Sequence, residues 1–126
     1  MIWKIANSVM LLLFAFAAVV QVNDPDPFAW ILIYGLAVVA CVLALLRRGH
    51  WLVPASIAAL AVIWAAAISP RVLGQVPFTD MFGAFEMRDI GIEQSREMYG
   101  LLLVAVWLTV LAVSARRRAG ARWRRP

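Results

Sequence analysis

Thiol, imidazole and acidic side chains are all scarce in this 126-residue sequence, which has one cysteine, one histidine and seven aspartates and glutamates. The single cysteine, Cys41, excludes a disulfide framework within the chain, and we expect it to pack as a small apolar side chain. With His50 as the only histidine, the chain cannot build a zinc site from histidine and cysteine ligands. Glycine–serine linkers, internal repeats and low-complexity tracts are also absent, so we expect one structural unit.

Apolar residues, in contrast, make up 64% of the chain, and its mean hydropathy is +0.85. Four apolar runs can be read, at about 2–22, 28–46, 51–68 and 98–115, and the helix that contains the last run is expected to begin at about residue 93. A helix of about 20 residues crosses a hydrocarbon core of about 30 Å. The sequence therefore predicts an all-α integral membrane bundle of four transmembrane helices. The predicted domain covers 1–115, with an extracytoplasmic loop at 69–92, and a basic cytoplasmic tail follows at 116–126.

The first apolar run also has features of a signal peptide. Lys4 provides a short basic start, and Ala15 and Ala17 are small residues of the kind found at cleavage sites. Against cleavage, the run continues through Gln21 directly into a tight turn that the second helix needs. We therefore favour a retained spanning helix.

Basic residues are distributed unevenly around the four runs. Nine of the twelve lie before the first run, between the second and third, or after the fourth: Lys4, Arg47, Arg48 and the six arginines from 116 to 125. The other two connections carry all seven acids and only Arg71, Arg88 and Arg96. Because cytoplasmic loops are enriched in lysine and arginine, both termini are predicted to be cytoplasmic, at the cell membrane if the source is prokaryotic. Arginines at helix ends attract anionic lipid headgroups, so membrane lipids, and not nucleic acid, are the expected partners of this +5 chain.

The first acidic segment is a proline-rich turn at 23–27. Its structural explanation is good, because Asn23 can end one helix while Asp26 caps the next and Pro27 occupies its first position. That explanation does not require Asp24, and two carboxylates beside hydrocarbon are costly enough to suggest a site. The plain turn and the site both remain open on this segment alone.

Two aromatic residues follow this turn at helical spacing, Trp30 and Tyr34. An aromatic belt at the membrane interface explains Trp30. Tyr34 lies deeper, and a buried tyrosine hydroxyl usually has a hydrogen-bond partner. A neighbouring acid or a lipid headgroup would serve.

The second acidic segment leads into the fourth helix. Asp89, Glu93 and Glu97 are spaced i, i+4, i+8, so a continuous helix would place them in one stripe. Acids near a helix N-terminus complement the helix dipole, which is the structural explanation, with Arg96 as a local partner. The functional alternative is that the stripe faces Asp24 and Asp26 across the mouth of the bundle. The candidate ligand-binding residues are Asn23, Asp24, Asp26, Trp30, Tyr34, Glu93, Arg96 and Glu97.

Oxygen ligands favour a hard cation, so any metal here is expected to be calcium or magnesium. The proposed metal ligands are Asp24, Asp26, Glu93 and Glu97. Between the two acidic segments, Phe78, Met81, Phe82 and Phe85 recur at i, i+3, i+4 and i+7 and predict a short amphipathic interfacial helix. It is expected to be a membrane anchor, with a lid over the site as the alternative.

These residues resemble the transmembrane protein 220 family. The similarity is carried by the run Gln-x-Asn-Asp-Pro-Asp-Pro at 21–27 with Trp30 and Tyr34, and by Glu-x-x-Arg-Glu-x-x-Gly at 93–100 followed by Trp107. The resemblance covers essentially the whole chain up to the basic tail. It implies a small four-helix membrane protein and supports the choice of site residues, but it implies no reaction.

Several functions fit this pattern. The first is a polar site at the extracytoplasmic face that binds a cation or a lipid headgroup. Whether it is catalytic is undecided: a magnesium ion could polarise a lipid phosphate, or Arg96 could hold a headgroup while a glutamate acts as a base. The alternative is a non-enzymatic accessory or assembly subunit of a larger membrane complex or a homo-oligomer, favoured by many small residues suited to helix contacts. Transport is a third reading, disfavoured because the middle of the bilayer holds no ionisable residue apart from Cys41 and Tyr34.

Overall fold

Four long helices form the protein in a computed structural model that describes residues 1–23, 27–72 and 90–124, with side chains at 1–23, 27–70 and 96–124. The first, α1, spans Ile2–Val20 and continues as a 3-10 turn at Gln21–Asn23. The others are α2 (Pro27–Leu45), α3 (Leu52–Val72) and α4 (Ile90–Trp123). All four are long and apolar enough to cross a membrane. The prediction of an all-α four-helix membrane bundle is confirmed.

The short connection between α2 and α3 is defined by specific end contacts. The backbone N–H of Arg48 donates to the Leu43 carbonyl at 2.9 Å, and that of Arg47 donates to the Ala44 carbonyl at 3.1 Å. This pair of bonds is a Schellman motif, which satisfies carbonyls left open at a helix C-terminus. At the start of α3, the Leu52 N–H donates to Nδ1 of His50 at 3.2 Å, so the only histidine of the chain caps this helix.

Helix α4 is longer than the predicted segment 93–115 at both ends. Its 34 residues span about 51 Å at 1.5 Å per residue, well beyond a hydrocarbon core of about 30 Å. The extension runs through the segment expected to be a tail, since alanine and arginine are strong helix formers and no proline interrupts them before Pro126. Arginines of the predicted tail are therefore carried on a helix.

The bundle is assembled from two closely packed pairs. Helix α3 packs most extensively against α4, and α1 packs against α2, while α2 also contacts both α3 and α4. On α3 the buried side chains include Ala58, Ala61 and Ala65. Such small residues allow helix backbones to approach closely, which is how transmembrane helices gain packing energy without a hydrophobic driving force.

The outer surface of the bundle is apolar. Leu12, Phe16, Ile63 and Val106 are each more than 60% exposed, at 67%, 69%, 67% and 62%. Side chains of this size and exposure would be a liability in water. They are what a bilayer-facing surface requires.

Candidate functional site

Helices α2 and α4 meet at the end of the bundle opposite the termini, through Tyr34 and Gly100. The Tyr34 hydroxyl packs directly against the α-carbon of Gly100, in the space that a β-carbon would fill. Tyr34 is 6% exposed, so its hydroxyl lies inside the bundle and away from lipid. Glycine at position 100 is therefore required by this close approach.

Glu97 precedes Gly100 by three residues on α4, which is about one helical turn. Arg96 and Glu97 are both half-buried, and each has an interaction partner. The contact between Tyr34 and Gly100 thus lies about one helical turn from Glu97 along α4. An acidic side chain in this position is costly next to hydrocarbon unless a donor or cation compensates it.

Trp30 lies one turn from Tyr34 on α2, but it does not face the membrane interface as an aromatic belt would. It is 6% exposed, and its ring stacks on that of Trp64 with centroids 4.3 Å apart and planes 27° apart. The stack ties α2 to α3 beside the meeting point of α2 and α4. Sequence reasoning did not find Trp64, because nothing in its spacing distinguishes it from any other apolar residue of α3.

The 3-10 turn at the end of α1 contributes two polar side chains, the exposed Asn23 and the half-buried Gln21. The Oε1 atom of Gln21 is buried and has no hydrogen-bond partner among the described residues. A buried acceptor without a donor is uncommon in a native structure. Gln21 was not among the predicted ligands.

The remaining predicted site residues lie outside what the structure describes. Asp24 and Asp26 fall between the described ranges, as does the whole segment 78–85. Glu93 belongs to α4, but its side chain is not described. Of the four proposed metal ligands, only Glu97 therefore has a described side chain.

A second polar group lies deep in the bundle and was not found from the sequence. The Asn7 side chain is fully buried; its Nδ2 donates to the Cys41 carbonyl at 3.0 Å, and its Oδ1 accepts from Nε1 of Trp107 at 3.0 Å. Trp3 stacks on Trp107 with centroids 5.7 Å apart. One amide thus links α1, α2 and α4. The available signal was a single asparagine within an otherwise apolar run.

Four apolar helices able to cross a bilayer, with polar groups gathered inside and at one end, define a multi-pass membrane protein of the small four-helix class. The family described as Transmembrane family 220, helix, matches residues 13–113. The chain belongs to this family.

Transmembrane protein 220 from Xenopus laevis is 30% identical to this chain over 128 residues. The match covers 95% of this chain but 64% of the frog protein, so the chain spans less than two thirds of that relative's length. No solved structure matches this chain.

Proposed function

We propose that the end of the bundle opposite the termini is a polar binding site for a hard cation or a lipid headgroup. The observation that carries the proposal is the contact between Tyr34 and Gly100, one helical turn from the half-buried Glu97. A carboxylate at this depth beside the membrane is costly unless a donor or a cation compensates it.

The Oε1 of Gln21, which has no hydrogen-bond partner among the described residues, also supports a binding site at this end of the bundle. It belongs to the turn that leads out of α1, at the end of the bundle where α2 begins. An amide oxygen can accept a hydrogen bond from a water or a protonated headgroup, and it can also coordinate a hard cation. This acceptor follows α1, whereas Glu97 lies on α4, so the two observations come from different elements.

Asp24, Asp26 and Glu93 complete the proposed ligand set on grounds of sequence. Only three residues separate Asn23 from Pro27, and Glu93 precedes Glu97 by one helical turn. We propose that these acids belong to the same site as Glu97. With them the site would offer four carboxylates, the ligands that calcium and magnesium prefer.

The binding proposal is tested by titrating calcium and magnesium into the purified, delipidated protein by calorimetry, with native mass spectrometry to detect retained lipid. The variants are Glu97→Gln and Asp24→Asn, with Glu86→Gln as the matched control, since it removes the same charge from a segment outside the proposed site. We expect each site variant to weaken binding about ten-fold or more, because affinity follows the number of charged ligands. Binding that is equal in all three variants would refute the site.

The same experiment separates the two ligand classes. A saturable calorimetric response to either metal that Glu97→Gln diminishes identifies a cation site. Lipid retained by the unmodified protein and lost from Glu97→Gln, with no metal response, identifies a headgroup site. If the unmodified protein binds neither, the proposal fails.

We further propose that both termini are cytoplasmic and that this site faces the outside of the cell. The excess of arginine at the termini end supports this orientation. The test is to treat intact cells with a membrane-impermeant maleimide after introducing Asn23→Cys or Gly120→Cys, neither of which changes a charge. We expect labelling at position 23 alone, while the native Cys41, which is fully buried, gives a low background. Labelling at position 120 alone would reverse the orientation.

The accessory-subunit alternative draws less support from the structure than from the sequence. The small residues that suggested helix contacts with a partner, among them Ala37, Ala61 and Ala65, are buried within this chain by its own helices. Purification in a mild detergent distinguishes the two ideas. A stoichiometric partner protein would favour the accessory role, and a single monodisperse species would favour a self-contained site.

A further inference from the structure

Arginines from two distant segments line one cleft at the end of the bundle that carries both termini. The cleft has a volume of about 320 Å³ and lies between the α2–α3 turn and the extended part of α4. Arg47 and Arg48 line it from the turn, and Arg118 and Arg122 line it from α4, together with Ala115 and Ala119. Its size is at the lower end of the range for small-ligand pockets, about 300 to 1,000 Å³.

The four guanidinium groups have no acidic neighbour in the segments that build this end. The sequence contains no aspartate or glutamate from residue 1 to 23, from 27 to 79, or from 98 to 126. Like charges that face a common space repel one another, and more strongly beside a low-dielectric membrane than in bulk water. Setting membrane orientation requires positive charge at this end, but it does not require the charges to converge on one cleft.

Arg47 is held in a conformation that usually belongs to glycine. Its φ is 53°, at the position of the Schellman motif where a left-handed residue is needed. Non-glycine residues in this conformation are disfavoured and concentrate at functional sites. The chain does place a glycine two residues later, Gly49, also with a positive φ of 88°. Glycine would suit the backbone conformation at position 47 better than arginine. The guanidinium group that arginine brings to the cleft offers a reason for the arginine there.

We propose that this cleft binds the phosphate headgroup of an anionic phospholipid. Phosphate fits because guanidinium groups bind its oxygens through paired N–H donors, and four of them can share a doubly charged group. A lipid fits because the cleft sits where α2 ends and α3 begins, at the surface of the membrane-spanning bundle. The site lies at the opposite end of the molecule from the proposed polar site and does not depend on it.

The neighbouring Arg116 is not part of this site. Its guanidinium lies 5.1 Å from the centroid of the Trp51 ring, at the edge of a separate groove between α3 and α4. Arg117 does not line the cleft either. Since Arg117 and Arg118 are adjacent in sequence and carry the same charge, they form a matched pair for testing whether binding is local or diffuse.

The experiment measures binding of the full chain to phosphatidate in phosphatidylcholine nanodiscs, for the unmodified protein and for Arg118→Gln and Arg117→Gln. A diffuse basic surface would lose about five-fold in affinity for either change, as expected for one basic residue at a membrane surface. We expect Arg118→Gln to weaken binding at least about five-fold more than Arg117→Gln, because it also removes direct bonds to the phosphate. Equal losses in the two variants, or no preference for phosphatidate over phosphatidylcholine alone, would overturn the proposal.

Two additions make the outcome specific. Arg118→Lys keeps the charge but loses the paired donors, so we expect its affinity for phosphatidate to lie between that of the unmodified protein and that of Arg118→Gln. An affinity equal to that of the unmodified protein would count against headgroup recognition. Inorganic pyrophosphate is titrated into the protein in detergent as the free-anion arm. Binding of pyrophosphate that matches phosphatidate in affinity and in its dependence on Arg118 would support the phosphate chemistry but overturn the assignment to a lipid.

Discussion

Replacing Asn7 with leucine removes the one fully buried polar side chain identified in the described part of the bundle while keeping its approximate volume. Two interhelical hydrogen bonds are lost, from Asn7 Nδ2 to the Cys41 carbonyl and from Trp107 Nε1 to Asn7 Oδ1, each 3.0 Å long. Interhelical hydrogen bonds in membranes average about 0.6 kcal/mol and reach about 1.7 kcal/mol. The loss of both predicts a decrease of about 1 to 3 kcal/mol in the free energy of unfolding.

The two bonds are not equivalent. The Cys41 carbonyl lies within α2, where the helix itself provides a backbone donor, so losing the amide costs it little. The Trp107 indole has a single N–H, and the neighbouring Cys41 sulfur is only a weak acceptor, so this donor loses its one strong partner. Most of the expected loss therefore comes from the bond to Trp107.

The assay is reversible unfolding in mixed micelles with increasing denaturing detergent, followed by tryptophan fluorescence. A double-mutant cycle between Asn7→Leu and Trp107→Phe isolates the indole bond, because phenylalanine keeps an aromatic ring but has no N–H. We expect a coupling of about 1 kcal/mol. The matched control is Trp64→Phe, which stacks on Trp30 instead and should add to Asn7→Leu within about 0.5 kcal/mol. A single-variant effect below about 0.5 kcal/mol, or equal coupling in both cycles, would refute this account of the network.

Two further predictions concern backbone positions. Gly100→Ala should lower the free energy of unfolding by about 1 to 3 kcal/mol, because the added β-carbon meets the Tyr34 hydroxyl. Adding Tyr34→Phe should restore most of that loss, since the nearest remaining ring atom is 3.4 Å from the β-carbon. Gly35→Ala, whose β-carbon would have nothing within 4 Å, is the control, and an equal loss there would contradict the steric explanation. Arg47→Gly should be more stable than Arg47→Ala by about 1 kcal/mol, because glycine relieves the left-handed conformation and alanine does not; equal stability of the two variants in the same unfolding assay would show that the turn carries no strain.

The architecture could be predicted because it follows from local properties of the chain. Each of the four apolar runs is long enough to cross a membrane as a helix. Such a segment is expected to be helical, since only a helix satisfies all backbone groups within one segment. The pairing of Tyr34 with the region of Glu97 and Gly100 could be anticipated only as a possibility, because spacing places residues on a helix face but does not say which neighbour that face meets. Trp30 is a second example. Its position near the start of α2 predicted a place at the lipid interface, but in the structure its side chain is buried against Trp64.

Helix ends were less predictable than helix centres. Helix α4 extends to Trp123 because good helix formers continue past the hydrocarbon boundary, and hydropathy detects that boundary but not the end of hydrogen bonding. The consequence is functional, since the extension carries Arg118 and Arg122 along one rigid element toward the α2–α3 turn. A flexible tail would not hold them there.

The sequence by itself determined the membrane character, the number of helices and the separation of acids from the termini end, because each depends on composition summed along a segment. Only the tertiary structure decided which polar groups meet. It buried Asn7 between Cys41 and Trp107, seated the Tyr34 hydroxyl on Gly100, and brought arginines some 70 positions apart into one cleft. These contacts depend on how helices rotate and pack against one another, which is set by the shapes of many side chains at once and by no local pattern.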